Sequence, residues 1–422
     1  MKTVHSAVAV WLMLMCLAAS AYAQDNWPEF RGPLTNGQAP DAKVPVRWSE
    51  TENVTWKTPL PGRAWSSPVI WGRQIWLTDG TADGKELYAV CIDRETGEVL
   101  LNRKQFELEV PPEIHKFNSF SSPSPVIEAG RVYLSWGSYG LACVDTATME
   151  TLWQRRDLEC DHYRGPGSSP ILYGDLLIEH YDGYDYQYVI ALNKHTGDTV
   201  WRTNRPTDFG TDNGDMKKAY ATPLVIEGIG QQQLISPTSK GTFAYNPQTG
   251  EEIWRVTYNE FSTPCRPLYD EENNLVIIGT GFSKGAVLAV RPDGTGDVTE
   301  THVAWIQKRG MPSKPSPLLI DGLVYTVEDK GVLSCLDVLT GEAVWQERIG
   351  GNHSASPVYA GGHIYTFAED GRSVVFKPGR TFEEVAVNQL EEGFMSSPAV
   401  AGDALFLRTT AALYRIETPG KQ

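Results

Sequence analysis

Residues Gly331 to Trp345 read Gly-Val-Leu-Ser-Cys-Leu-Asp-Val-Leu-Thr-Gly-Glu-Ala-Val-Trp. Large apolar and small residues alternate through the first half, and that two-residue period predicts a strand with two unlike faces. Asp337 opens a turn, because a short carboxylate accepts nearby backbone N–H groups. Gly341 stands where a tight hairpin needs a residue tolerant of positive φ. Ala343 to Trp345 begins the returning strand. Upstream, Ser316-Pro317 opens an apolar run that breaks at Asp321-Gly322 and resumes through Tyr325. The stretch predicts one four-stranded antiparallel meander.

The same pattern recurs along most of the chain. A Ser/Thr-Pro or Ser/Thr-x-Pro strand opening occurs eight times, at Pro68, Pro125, Pro170, Pro223, Pro264 or Pro267, Pro317, Pro357 and Pro398. Proline at the first residue of a strand loses no ladder hydrogen bond. The Asp/Asn-x-x-Thr-Gly hairpin recurs at 93–97, 193–197, 246–250 and 337–341, and an indole follows at Trp201, Trp254 and Trp345, with Trp153 aligned to them. Some units depart from the pattern: Leu101 takes the tryptophan position in the first, Met149 the glycine position in the second, and residues 291–296 are inserted before Trp305 in the fifth. In the seventh, Phe382 is read in place of tryptophan. The eighth stops after Leu413 to Ile416 without a fourth strand, whereas Val54 to Trp56 is a strand without a partner. One spare strand and one missing strand imply a closed ring. Repeats averaging about 45 residues are those of four-stranded propeller blades, and closure removes the open sheet edges that invite aggregation. The expected architecture is all-β: an eight-bladed propeller over 54–417, closed by the N-terminal strand, with an arm at 24–53 and a tail at 418–422.

Residues 1–23 read differently. Lys2 and His5 precede an apolar run from Ala7 to Ala19, and Ala21-Tyr22-Ala23 has the small-x-small form of a cleavage site. This predicts a signal peptide cut after Ala23 and an exported, periplasmic or secreted protein. No later run is long enough for a membrane span. The mature chain would carry 36 basic and 52 acidic residues, a net charge of −16, which disfavours nucleic acid and anionic membrane surfaces as partners. Three of its five cysteines, Cys91, Cys143 and Cys335, fall two residues before the turn aspartate, where Ala191 or Ala244 stands in other repeats. They read as small buried side chains.

The Asp-x-x-Thr-Gly-x-x-x-Trp ending of these meanders resembles the pyrrolo-quinoline quinone (PQQ) repeat. That is the tryptophan-docked blade of quinoprotein alcohol dehydrogenases and of the lipoprotein subunit of the outer-membrane β-barrel assembly machinery. The resemblance covers Val54 to Ile416. The start Trp27-Pro28-x-Phe30-Arg31-Gly32-Pro33 is similar to that of exported bacterial members of this superfamily. The resemblance implies that Trp56, Trp153, Trp201, Trp254, Trp305 and Trp345 dock between adjacent blades. It also implies what a quinone enzyme would need: an adjacent Cys–Cys pair, a tryptophan beneath the quinone, a calcium site and a catalytic aspartate. The sequence has no adjacent cysteines, and no long inserted loop to roof a cofactor is expected.

In a propeller, the loops leading into the innermost strands ring one mouth of the central channel. Here they carry Arg63, Trp65, His162, Arg164, Lys217, Arg309 and His353. Basic and aromatic groups gathered on an acidic protein mark a candidate ligand site, suited to anionic or sugar-like groups. No nucleophile elbow, zinc-protease or phosphate-loop pattern is present. The expectation is a monomeric binding module for a protein or glycan, without catalytic residues, cofactor or metal. The alternative is a PQQ- and calcium-dependent alcohol or sugar dehydrogenase working at the channel mouth.

Overall fold

The computed structural model describes residues 25–420 apart from Thr207, Ile229 and Ser283. The expected signal segment therefore lies outside the described residues. Eight sheets, each with four strands in antiparallel meander order, form the expected propeller. Among the described residues the only helix is one 3₁₀ turn, Gly214–Met216. The first blade runs Val69–Trp71, Gln74–Gly80, Glu86–Asp93 and Val99–Glu107 from the channel outward. The eighth runs Ala399–Ala401, Ala404–Arg408 and Ala412–Ile416, and its outermost strand is Val54–Pro59. Val54 pairs with Ile416 and Pro59 with Ala412, antiparallel, so the two ends of the propeller meet in one sheet. In the fifth blade the innermost strand, Leu268–Asp270, follows Pro267 rather than Pro264.

The blades are welded by a repeated contact. Trp56, Trp153, Trp201, Trp305 and Trp345 each donate their indole N–H to a backbone carbonyl in the next blade, at 2.8–3.2 Å. For the first four, the indole also covers the next blade's hairpin glycine. A Cβ built on Gly97 would lie 2.7 Å from Trp56, one on Gly197 2.8 Å from Trp153, and one on Gly250 2.5 Å from Trp201. The glycine thus answers two demands, positive φ and an approaching ring. Where the first blade offers Leu101 instead of tryptophan, the second blade has Met149 at φ 62°, and both pack against the same hydrophobic cluster. The two departures from the repeat compensate each other.

This contact predicts a contrast between glycines. Gly250→Ala should lose roughly 2–4 kcal/mol of stability, from the left-handed backbone and the clash together. Gly130, at φ 85° with nothing within 4 Å of its virtual Cβ, should lose only about 1–2 kcal/mol on the same change. Equal losses in urea unfolding would contradict the docking account.

Two positions depart from the repeat. Trp254 packs between the fourth and fifth blades as expected, but its indole N–H does not reach the next blade's backbone. It donates to Gln233 Oε1 of its own blade at 2.7 Å, and the inserted segment pairs beside its strand through Gly296–Asp297. The insertion supplies the cover that the next blade's missing hairpin motif cannot. In the seventh blade the docking position, opposite Val375, is held by Ala386, while Phe382 lies four residues earlier, just before the strand, and packs on Trp345 at 5.4 Å. Opposite the docking position stand Cys91, Cys143 and Cys335. All five described cysteines are buried and free, so these are small residues facing large ones.

The arm crosses the face that carries the Thr-Gly hairpins. Trp27 pairs with Ile70 of the first blade, and Pro28 accepts the Ile127 N–H of the second at 2.8 Å. Gln38–Ala39 adds a parallel strand beside Val358–Ala360 of the seventh. Trp48 accepts no solvent either: it stacks on Tyr365 at 6.1 Å, with its backbone N–H donated to Asn388.

Candidate functional site

Serine and threonine residues before the strand-opening prolines form a ring around the channel. The N–H of Ser67 donates to Ser124 Oγ, that of Ser124 to Ser169 and that of Ser169 to Thr222, at 2.9–3.3 Å. After a break, Arg266 N–H donates to Ser316 Oγ, Ser316 to Ser356, Ser356 to Ser397, and Ser397 back to Ser67, at 2.9–3.1 Å. These hydroxyls surround a cavity of about 140 Å³. The arm closes it from below. Phe30 lines its floor, and Arg266 reaches down to the Phe30 carbonyl and, at 2.7 Å, to Glu29.

The opposite end is the expected mouth, where the seven candidate residues separate into three pairs and a lone Arg309. Arg63 and Trp65 sit at the rim beneath segment 108–125. The Arg63 guanidinium donates to the carbonyls of Lys116 and Asn118, and Trp65 donates its indole N–H to the Phe117 carbonyl at 3.1 Å. From the sixth blade, Lys314 Nζ reaches the Phe117 ring at 5.6 Å. The expectation that no loop roofs the channel is thus corrected: this connection carries no strand pattern, yet it folds across the mouth because rim side chains hold its carbonyls.

Arg164 and Lys217 belong to a second group joined to the first. Asn118 donates to the Arg164 carbonyl at 2.9 Å. The Arg164 guanidinium lies 4.5 Å over Tyr163, Tyr163 stacks on Tyr184 at 5.9 Å, and Lys217 lies 4.4 Å over Tyr184. Two cations therefore sandwich two tyrosines. Arg164 is also held by both Asp215 oxygens, at 2.9 and 3.2 Å, and that hydrogen-bonded carboxylate raises its pKa. Arg309 is exposed and takes part only through its backbone.

His162 and His353 are inside the protein, not at the rim. His353 has its two ring nitrogens 3.1 Å from the carbonyls of Phe367 and Gly350, and burial lowers its pKa; the ring is enclosed by backbone rather than presented to the channel mouth. His162 Nε2 accepts the Ser138 N–H at 2.9 Å, which puts the ring proton on Nδ1, 3.1 Å from Lys218 Nζ. The Nδ1–H has two acceptors within reach, the Lys218 amine in its neutral form and Cys160 Sγ at 3.7 Å. Burial lowers the Lys218 pKa, and burial together with Lys218 holds the imidazole well below its ordinary range.

Sequence reasoning missed the polar group around this pair. The strand Leu176–Asp182 is buried throughout although it contains Glu179, His180 and Asp182. Asp182 pairs with the buried Arg205 at 2.9 Å. Glu179 accepts from Ser135 Oγ at 2.6 Å, and burial pushes its carboxyl up to about 8. Consecutive polar residues in an otherwise apolar strand were the available signal. Between its unfolded value near 4.5 and about 8 the folded protein holds a proton on Glu179 that the unfolded chain has lost. Stability attributable to this group therefore falls as pH rises through that window. Glu179→Gln should flatten the decline in melting temperature from pH 5 to 8, and an unchanged slope would show that Glu179 is ionised in the fold.

Fold and site together define an eight-bladed propeller of the quinoprotein-like superfamily. Within it, the sequence profile of the outer membrane protein assembly factor BamB family matches residues 45–203 and 185–419, and the chain belongs to that family. It is 24% identical over 246 residues to outer membrane protein assembly factor BamB of Yersinia pestis, covering 56% of this chain and 58% of that protein. It is 33% identical over 146 residues to quinoprotein alcohol dehydrogenase PedH of Pseudomonas putida, covering 31% of this chain and 22% of that one. The matches thus span less than two thirds of either relative. Among solved structures, quinohemoprotein alcohol dehydrogenase from Comamonas testosteroni superposes with a TM-score of 0.65 at 12% identity, over 96% of this chain and 82% of that one. BamB from Moraxella catarrhalis gives 0.55 at 12% identity, over 84% and 99%. These superpositions show the fold. Among the described residues no helix is long and apolar enough to cross a membrane.

Proposed function

We propose that the chain is an exported, non-catalytic binding propeller that engages a protein partner through its mouth face, in outer-membrane protein assembly. The observation that carries this reading is the division of labour between the two faces. The hairpin face is covered in part by the chain's own arm. The mouth face presents a continuous rim from Arg63 and Trp65 through segment 108–125 to Arg164 and Lys217, with Phe117 about half exposed at 52%. Rigid blades presenting loops suit recognition, and exposed aromatic and arginine groups are those that anchor protein interfaces. A protein is favoured over a glycan because the faces of Tyr163 and Tyr184 are taken by Arg164, Lys217 and each other. The family name and the signal-like residues 1–23 support a periplasmic location and outer-membrane association.

The residues at the channel do not fit a quinone cofactor. Its 140 Å³ is below the roughly 300 Å³ at which small-molecule pockets begin. Lys314, the lysine lining it, is committed to Glu369 at 3.0 Å. The described cysteines lie far apart in sequence, and no group of three His, Cys, Asp or Glu among the described residues could hold a metal ion.

The reading is tested in cells that rely on this chain alone. Phe117→Asp, which leaves Arg63 holding the segment, should lower outer-membrane protein levels at least severalfold while the purified variant keeps its melting temperature. Leu339→Asp, at an exposed hairpin on the far face, should leave those levels unchanged. Equal effects from the two faces, or none from the mouth, would refute it.

A further inference from the structure

We propose that the central channel binds a small monovalent anion, a halide or a carboxylate, on its hydroxyl ring above the Arg31 guanidinium. Each ring hydroxyl already accepts one backbone N–H from the neighbouring blade. Its own O–H donates to no acceptor among the described residues, although every one of these side chains is at least nine-tenths buried. A hydroxyl can turn its proton to suit an acceptor, and a buried donor left unmade is costly. Seven such donors converge on one cavity.

The charge beneath them has the matching sign. Arg31 is buried and donates only to carbonyls, those of Asn36, Pro317 and Pro357. Pro317 and Pro357 directly follow the ring residues Ser316 and Ser356, so the guanidinium sits one residue below the ring. Arg266, which interrupts the ring, has Glu29 as its ion-pair partner. Two guanidinium groups and one carboxylate leave a net charge of +1 below the channel. The Nε–H groups of Arg31 and Arg266 are both buried without a partner. Burial and then Arg266 lower the Arg31 pKa to about 9, the strain expected of a buried cation that lacks a counter-charge. A cation in the channel would meet O–H donors and a like charge; an anion meets donors and an opposite one. The volume of about 140 Å³ equals roughly four or five waters at ~30 Å³ each, enough for a halide or a carboxylate with residual water.

The test does not depend on the partner-binding reading. The full chain, freed of chloride in a bulky sulfonate buffer, is titrated with sodium bromide and with sodium acetate, and crystals are soaked in bromide. The expected results are saturable binding heat, a saturable rise in melting temperature of roughly 1–3 °C, and an anomalous bromide peak inside the ring. Arg31→Met should weaken binding at least tenfold, and Arg31→Lys should restore much of it. If Arg31→Met fails to fold, the wild-type measurements decide. No bromide peak in the channel at saturation, or equal binding by wild type and a folded Arg31→Met, would overturn the proposal.

Discussion

A chain lacking residues 25–57 is expected to lose cooperative folding. The deletion removes most of the strand that completes the eighth blade, from Val54 to Lys57, and bares the Ala412–Ile416 edge. It removes Trp56, whose ring covers Gly97 of the first blade, together with the buried Trp27 and Trp48. Emptying a buried tryptophan site alone costs about 3–5 kcal/mol. Two of them, with a strand pairing besides, approach the roughly 5–15 kcal/mol by which domains are stable at all. Circular dichroism should show a broadened or absent transition, and a separate peptide of residues 25–59 should restore it. An unchanged melting temperature would mean that the ring closes by some other contact.

The second large effect lies at the same seam, inside the ring. Arg408 of the eighth blade is buried and donates to the Ser66 carbonyl and hydroxyl and the Thr78 carbonyl of the first blade, at 2.7–3.1 Å, and to Asp79 at 3.3 Å. Arg408→Ala would leave the buried Asp79 carboxylate and several carbonyls without their donor. Breaking a buried pair from one side costs about 3–5 kcal/mol. Adding Asp79→Asn should recover part of the loss, because the unpaired charge is removed with its partner, giving a coupling energy well above that of independent sites. Additive losses in urea unfolding would place Arg408 outside the closure.

The ring was legible because its cause is repetitive. Strand-opening prolines, Thr-Gly hairpins and docking indoles each signal one local geometry, and only closure accounts for Val54 to Trp56 standing without a partner. The places where sequence reasoning slipped are those where contacts cross between repeats. Leu101 and Met149 looked like two separate defects, and only the packing shows that each excuses the other. Trp254 looked like its fellows, but its contact depends on an insertion that begins nearly forty residues later. The mouth was legible as composition and not as geometry. Arg63, Trp65 and Arg164 meet because segment 108–125 bridges them, and Lys217 joins through the Tyr163–Tyr184 stack, whereas His162 and His353 are drawn inside by carbonyl, amide and amine partners. Arg31 carried no signal at all, since nothing in Phe-Arg-Gly-Pro says that its side chain ends beneath a ring of hydroxyls.

Site-specific photocrosslinking in cells tests most directly whether the mouth face is the one that meets a partner. A photoreactive phenylalanine analogue placed at Phe117 should give a discrete adduct with an outer-membrane protein or a protein that assembles one. The same analogue at Leu339 on the hairpin face should give none. Adducts from Leu339 with none from Phe117 would contradict the account and move the binding surface to the face that carries the arm.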